Sequence, residues 1–193
     1  MTRPIVYFTA VTVLIAATVM TIVSVVVPKW VTYTRPGSPV YDNVGLHRRC
    51  MSGSECTEFP DPKRCDGGEE KFCSTWRTLG FLMSFAIVVE LATLVSFLII
   101  MAGGKQKREK GWKLLGTMLA GVATIQFIAM ALVTYLFNYD DLFLVSGYSL
   151  DTSFYLCTAS ASVSLLCAFG LAISAYVLPP EDGYEFLNDS AGV

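Results

Sequence analysis

The sequence predicts an all-α membrane fold, a bundle of four transmembrane helices carrying a disulfide-stapled outer domain. Three observations carry this reading. Four apolar blocks each reach about 20 residues, the length that crosses a bilayer core. A polar stretch, 28–77, separates the first two blocks and holds four of the six cysteines: Cys50, Cys56, Cys65 and Cys73. Lys and Arg crowd one short connection and are missing from another, the asymmetry by which membrane helices are oriented.

The 193 residues are 53% hydrophobic, and the apolar ones fall in runs, which fits a single domain built in lipid. A net charge of -2, with no basic patch interleaved with aromatics, argues against nucleic-acid binding. No nucleophile elbow, phosphate loop or His-rich ligand set is visible, so neither catalysis nor a cofactor is expected.

In chain order, residues 5–27 carry no charge and form the first span. The run is too long for a signal-peptide core and lacks a small-residue cleavage pattern before Pro28. Residues 28–77 form the outer loop, in which the alternating, β-branched Trp30–Thr34 and Val40–Leu46 are expected strands. Ser52–Glu70 is expected to be mostly turn, with a hairpin tip at Asp66-Gly67-Gly68-Glu69. The second span covers about 78–103, a compact basic turn 104–112, and the third span about 113–137. A short acidic loop, 138–152, precedes the fourth span at about 153–178, and an acidic tail follows from 179 to 193.

Five Lys or Arg fall within 105–113, and none within 138–152. The basic turn and both termini are therefore expected to be cytoplasmic. The long outer loop carries eight Lys or Arg, but long loops cross the membrane largely regardless of charge, and its cysteines need an oxidising compartment. Zinc is the rival reading of those cysteines. Intervals of five, eight and seven residues lack the short paired spacing of zinc knuckles. A 50-residue loop buries too little apolar surface to stand alone, so crosslinks are physically needed. Of three pairings, Cys50–Cys65 with Cys56–Cys73 is the one expected.

Pro28-x-Trp30 opens the loop, Gly45-Leu46-His47 and Cys50 stand in its middle, and Arg77 closes it where the second span begins. With four spans and a long first outer loop, this pattern resembles the superfamily of claudins, peripheral myelin protein and calcium-channel γ-subunits. The resemblance implies a small antiparallel sheet above a left-handed four-helix bundle. It also implies a plasma-membrane protein that binds laterally to a larger integral membrane protein or to its own copies. His47 stands where the family has a second tryptophan, and four loop cysteines replace the usual two. These departures weigh against a direct sealing role between cells. They leave open the γ-subunit-like branch and the fungal claudin-like proteins that organise membrane domains.

Glu90 and Gln126 are the strongly polar side chains deep in spans two and three. An intramembrane carboxylate is costly and faces the bundle interior or a partner. The two are expected to pair, with a partner-helix site and ion conduction as alternatives. Ser160, Ser164, Ala168 and Ala172 recur every four residues in span four, a spacing that admits close helix approach, either within the bundle or to another membrane protein. Cys157 and Cys167 read as buried small hydrophobes. His47 reads as a polar residue on the sheet or lipid boundary, or as a pH-sensitive contact. Tyr184-x-x-Leu187 matches a tyrosine-based sorting pattern. The expected work is that of an auxiliary or scaffolding subunit, against adhesion or a paracellular barrier, and against a small channel or transporter.

Overall fold

A computed structural model describes residues 2–34, 41–67, 69–144 and 147–177. Four long helices, α1 (Thr2–Val26), α3 (Glu70–Ala102), α4 (Gly104–Tyr139) and α5 (Thr152–Val177), are long and apolar enough to cross a membrane. They pack as a ring in which α1 and α4 each contact α3 and α5. Between them lie the strands β1 (Val31–Thr34), β2 (Tyr41–Val44), β3 (Arg48–Met51) and β4 (Thr57–Glu58), the short helix α2 (Pro62–Cys65) and the strand β5 (Tyr148–Leu150).

Each helix buries residues at intervals of seven, two turns apart and so on one face. On α1 these are Tyr7, Leu14 and Thr21; on α3, Trp76, Met83, Glu90 and Phe97. On α4 they are Leu119, Gln126 and Val133, and on α5 Ser153 and Ser160. Hydroxyls in these apolar helices bond back to the preceding turn, as Thr9 does to the Ile5 carbonyl and Thr18 to that of Leu14, each at 3.0 Å.

Two helices depart from the expected bounds. Residues 104–112 begin α4 rather than forming a compact turn, and the chain reverses at Gly103. Lys, Gln, Arg and Glu in that segment are good helix formers, so the helix continues past its apolar part. On the other side, α3 starts at Glu70, eight residues before the expected span. Phe72, Cys73, Trp76 and Leu79 bury one face of this extension.

The sheet is antiparallel throughout, in the order β4-β3-β2-β1-β5. Two of its strands were expected, at slightly longer bounds. β3 and β4 form the next hairpin, and β5 comes from the short second loop to pair with β1, joining the two loops in one sheet. Asp66 and Gly67 are not a hairpin tip; they turn the chain from α2 into α3.

Two disulfides are present, Cys50–Cys56 and Cys65–Cys73, which corrects the expected pairing. The register Arg49↔Thr57, continued by one residue, sets Cys50 opposite Cys56. The corner between α2 and α3 brings Cys65 to Cys73. Each closes a short loop, worth about 2.5 kcal/mol in the chain-entropy model. Cys157 and Cys167 are free thiols.

The core has two parts. At the sheet end, Trp30, Val44 and Leu46 from the loop pack with Trp76, Met83, Val133 and Cys157 from the helices. At the basic end, Tyr7, Leu14, Phe97, Leu115, Leu119 and Leu171 form a smaller cluster contributed by helices alone.

Candidate functional site

Between these two apolar clusters lies a polar node to which each long helix gives one side chain: Thr21, Glu90, Gln126 and Ser160, all fully buried. The Gln126 amide Nε2 donates to Glu90 Oε1 and to Thr21 Oγ1, both at 2.9 Å. The single Thr21 hydroxyl hydrogen has two acceptors in reach, Glu90 Oε1 at 2.9 Å and the Ala17 carbonyl at 3.1 Å. Ser160 Oγ lies 2.7 Å from Thr21 Oγ1 and 2.9 Å from the Ala17 carbonyl.

Proton counting limits the directions of these bonds. Two amide hydrogens of Gln126 and one hydroxyl hydrogen of Thr21 converge on the node, and Ser160 donates into Thr21 or the Ala17 carbonyl. Glu90 Oε1 accepts from Gln126 and is in reach of the Thr21 hydroxyl, while among the described residues Glu90 Oε2, Gln126 Oε1 and Ser164 Oγ find no hydrogen-bond partner. Thr18 stands beside Glu90 as well, but its hydroxyl is directed at the Leu14 carbonyl. Burying such groups is costly unless they are bonded, so the node specifies how four otherwise interchangeable apolar helices meet.

Glu90 and Gln126 are thus in direct contact, as their matched depth led one to expect. Thr21 and Ser160 were not foreseen as members. A signal existed for Thr21: Thr18, Thr21 and Ser24 recur every third residue in an apolar helix, and all three are buried. The stripe on α5 is split. Ser160, Ser164 and Ala168 are buried, Ala168 within the cluster at the basic end, whereas Ala172 is only partly buried, and both alanines line the surface beside α4.

The residues that opened and closed the long loop acquire definite roles at the sheet end. The Trp30 indole N–H donates to the Ser24 carbonyl at 2.7 Å, locking the end of α1 to the sheet. The Trp76 indole N–H donates to the Leu46 carbonyl at 3.1 Å, locking α3 to the same sheet. Gly45 is required by close approach, since a Cβ there would lie 2.5 Å from the Pro28 Cα. His47 is exposed and leans on Gly80 of α3, where an added Cβ would come within 2.9 Å of its ring. Arg77 is exposed.

Two polar contacts on the sheet escaped sequence reasoning. Arg49 grips Asp42 through Nε, 2.9 Å from Oδ2, and through its terminal nitrogen. The bond to Asp42 holds the guanidinium above its ordinary pKa. Asp151, just before α5, accepts from the Thr152 N–H and from the Thr32 hydroxyl, both at 2.6 Å. Burial alone would raise its pKa, but these bonds from Thr32 and Thr152, with Lys29 nearby, hold it below the ordinary range.

Cys157 lies against Met83, and Cys167 against the Ala10 carbonyl. Among the described residues no cluster of three His, Cys, Asp or Glu could hold a metal ion. The pattern Tyr184-x-x-Leu187 lies outside the described residues. Compared with known proteins, the chain matches no family model and no curated sequence.

Proposed function

We propose that this chain is a non-catalytic, claudin-like tetraspan protein of the plasma membrane, with both termini cytoplasmic. It acts as an auxiliary or scaffolding subunit. It binds laterally to a larger integral membrane protein or to its own copies, and presents the stapled sheet outside.

The observation that carries this reading is the disposition of polar atoms within the spans. A conduction path needs polar groups strung along the bundle depth. Here Thr21, Glu90, Gln126 and Ser160 sit at one level and bond one another, while the buried hydroxyls of Thr18, Ser24 and Thr93 at other depths donate to carbonyls of their own helices. Apolar clusters containing Met83 and Val133 on one side, and Leu14, Phe97 and Leu119 on the other, close both approaches. Such an arrangement supports a role in fixing helices over one in conduction. The sheet shares its core with the bundle, so the outer surface is a rigid display held by four helices.

Native-gel mass in mild detergent, with mass spectrometry of co-purifying chains, tests the reading. A defined hetero-complex, or a discrete assembly of this chain with no conductance in planar bilayers, is the expected result. Extended strands bridging opposed membranes would favour adhesion or a barrier instead. Single-channel currents from the purified chain would overturn the reading.

A further inference from the structure

At the basic end of the bundle, the surface between α4 and α5 is indented by a groove of about 430 Å³. Small residues make it. Gly116 and Ala120 stand on α4, and Ala168 and Ala172 on α5, each pair one turn apart. A Cβ added at Gly116 would meet nothing within 4 Å, so the trough is open at that point. Trp112 and Lys113 close its end.

That end is built like a lipid headgroup level. The Lys113 ammonium lies 5.8 Å from the Trp112 ring centroid, and Trp112 meets Tyr176 edge-on at 5.5 Å. Amphipathic aromatic rings and lysines favour this depth of a bilayer. Lys113 and Lys110 are exposed, and the sequence adds Lys105, Lys107 and Arg108, against one acid, Glu109, in the preceding turns of the same helix. Among the described residues the one ion pair is Arg49–Asp42, on the sheet, so no described acid neutralises Lys113.

Any apolar chain could lie in the trough, since lipid tails and helix side chains are equally apolar. The charge at its end selects among occupants. We propose that the groove is a binding site for an anionic glycerophospholipid of the leaflet at the basic end, with an acyl chain in the trough and the phosphate against Lys113. This assignment is independent of the lateral-scaffold reading and of which compartment the basic end faces.

The full chain, purified in mild detergent and stripped of lipid, is titrated with dioleoylphosphatidylglycerol or dioleoylphosphatidylcholine, and bound lipid is counted by native mass spectrometry. Wild type should retain the anionic lipid at least about fivefold more tightly than the zwitterionic one, about fivefold being the contribution of one lysine near a headgroup. Lys113→Gln should lower that preference about fivefold, and Lys110→Gln should lower it less. Gly116→Leu, which fills the trough, should lower retention of both lipids at unchanged thermal stability. Lys113→Gln alters only an exposed residue and decides the matter even if Gly116→Leu misfolds. Equal retention of the two lipids by wild type, or a preference unchanged by Lys113→Gln, would overturn the assignment. Displacement of the lipid by inorganic phosphate at matched concentration would also overturn it, leaving a plain anion site.

Discussion

At the sheet end, Trp76 stacks on Phe72 and meets Phe59 and Phe143 with ring centroids 5.3–6.0 Å apart, inside a core shared by strands and helices. At the basic end, Leu14, Phe97, Leu115 and Leu119 pack among helices alone. The first region has water as its alternative when it opens, and burial there draws on the hydrophobic effect. The second has lipid as its alternative, so only packing and hydrogen bonds favour association. The contrast explains where the crosslinks and aromatic pairs concentrate, and why small residues and an open groove are tolerated at the basic end.

The largest expected effect breaks this comparison directly. Trp76→Ala removes the centre of the aromatic group and its bond to the Leu46 carbonyl, and should cost about 3–5 kcal/mol. Leu119→Ala is equally buried but should cost clearly less, because unfolding within the membrane returns Leu119 to an apolar medium. Denaturant titration in mild detergent, followed by tryptophan fluorescence, measures both. Equal losses would mean that the two ends are held by the same forces.

Between the two ends, the node should show a smaller effect. Glu90→Leu and Gln126→Leu, singly and together, form a double-mutant cycle. Interhelical hydrogen bonds in membranes average about 0.6 kcal/mol and reach about 1.7, so the coupling should fall in that range. Additive losses would remove the bonded pair from the account of bundle geometry. Glu90→Gln should be the mildest change at this position, since it keeps an acceptor oxygen and the shape.

The four spans were legible because an uninterrupted apolar run of that length has few soluble uses. Glu90 and Gln126 were legible as outliers within such runs, and the interval of seven residues that places them in line with Met83 and Leu119 was also there to be read. What could not be read was anything decided by contact across the chain. The disulfide pairing follows from the β3–β4 register, which no residue spacing displays. Ser160 looked like one small packing residue among four until Thr21 was seen to approach it. The early start of α3 was hidden because residues 70–77 are polar outside and aromatic inside, whereas membrane spans are recognised by total hydrophobicity.

The smallest expected effect is a pH dependence confined to the sheet end. Asp151 joins β1 to the start of α5 through Thr32 and Thr152, and these bonds hold its pKa below the ordinary aspartate value of about 3.9. A carboxylate with a depressed folded-state pKa stabilises the fold above its unfolded value, and the contribution is lost as pH falls through the folded one. The melting temperature should therefore decline on acidification below about pH 4, and Asp151→Asn should decline less, its difference from wild type shrinking toward pH 2. Since Asp151 is partly exposed, solvent screens the effect and a shift of a degree or two is the scale to look for. Thermal melts of both proteins across that range, read by near-ultraviolet circular dichroism, provide the measurement. A constant gap at every pH would assign Asp151 a purely geometric part in joining the sheet to α5, without a charge.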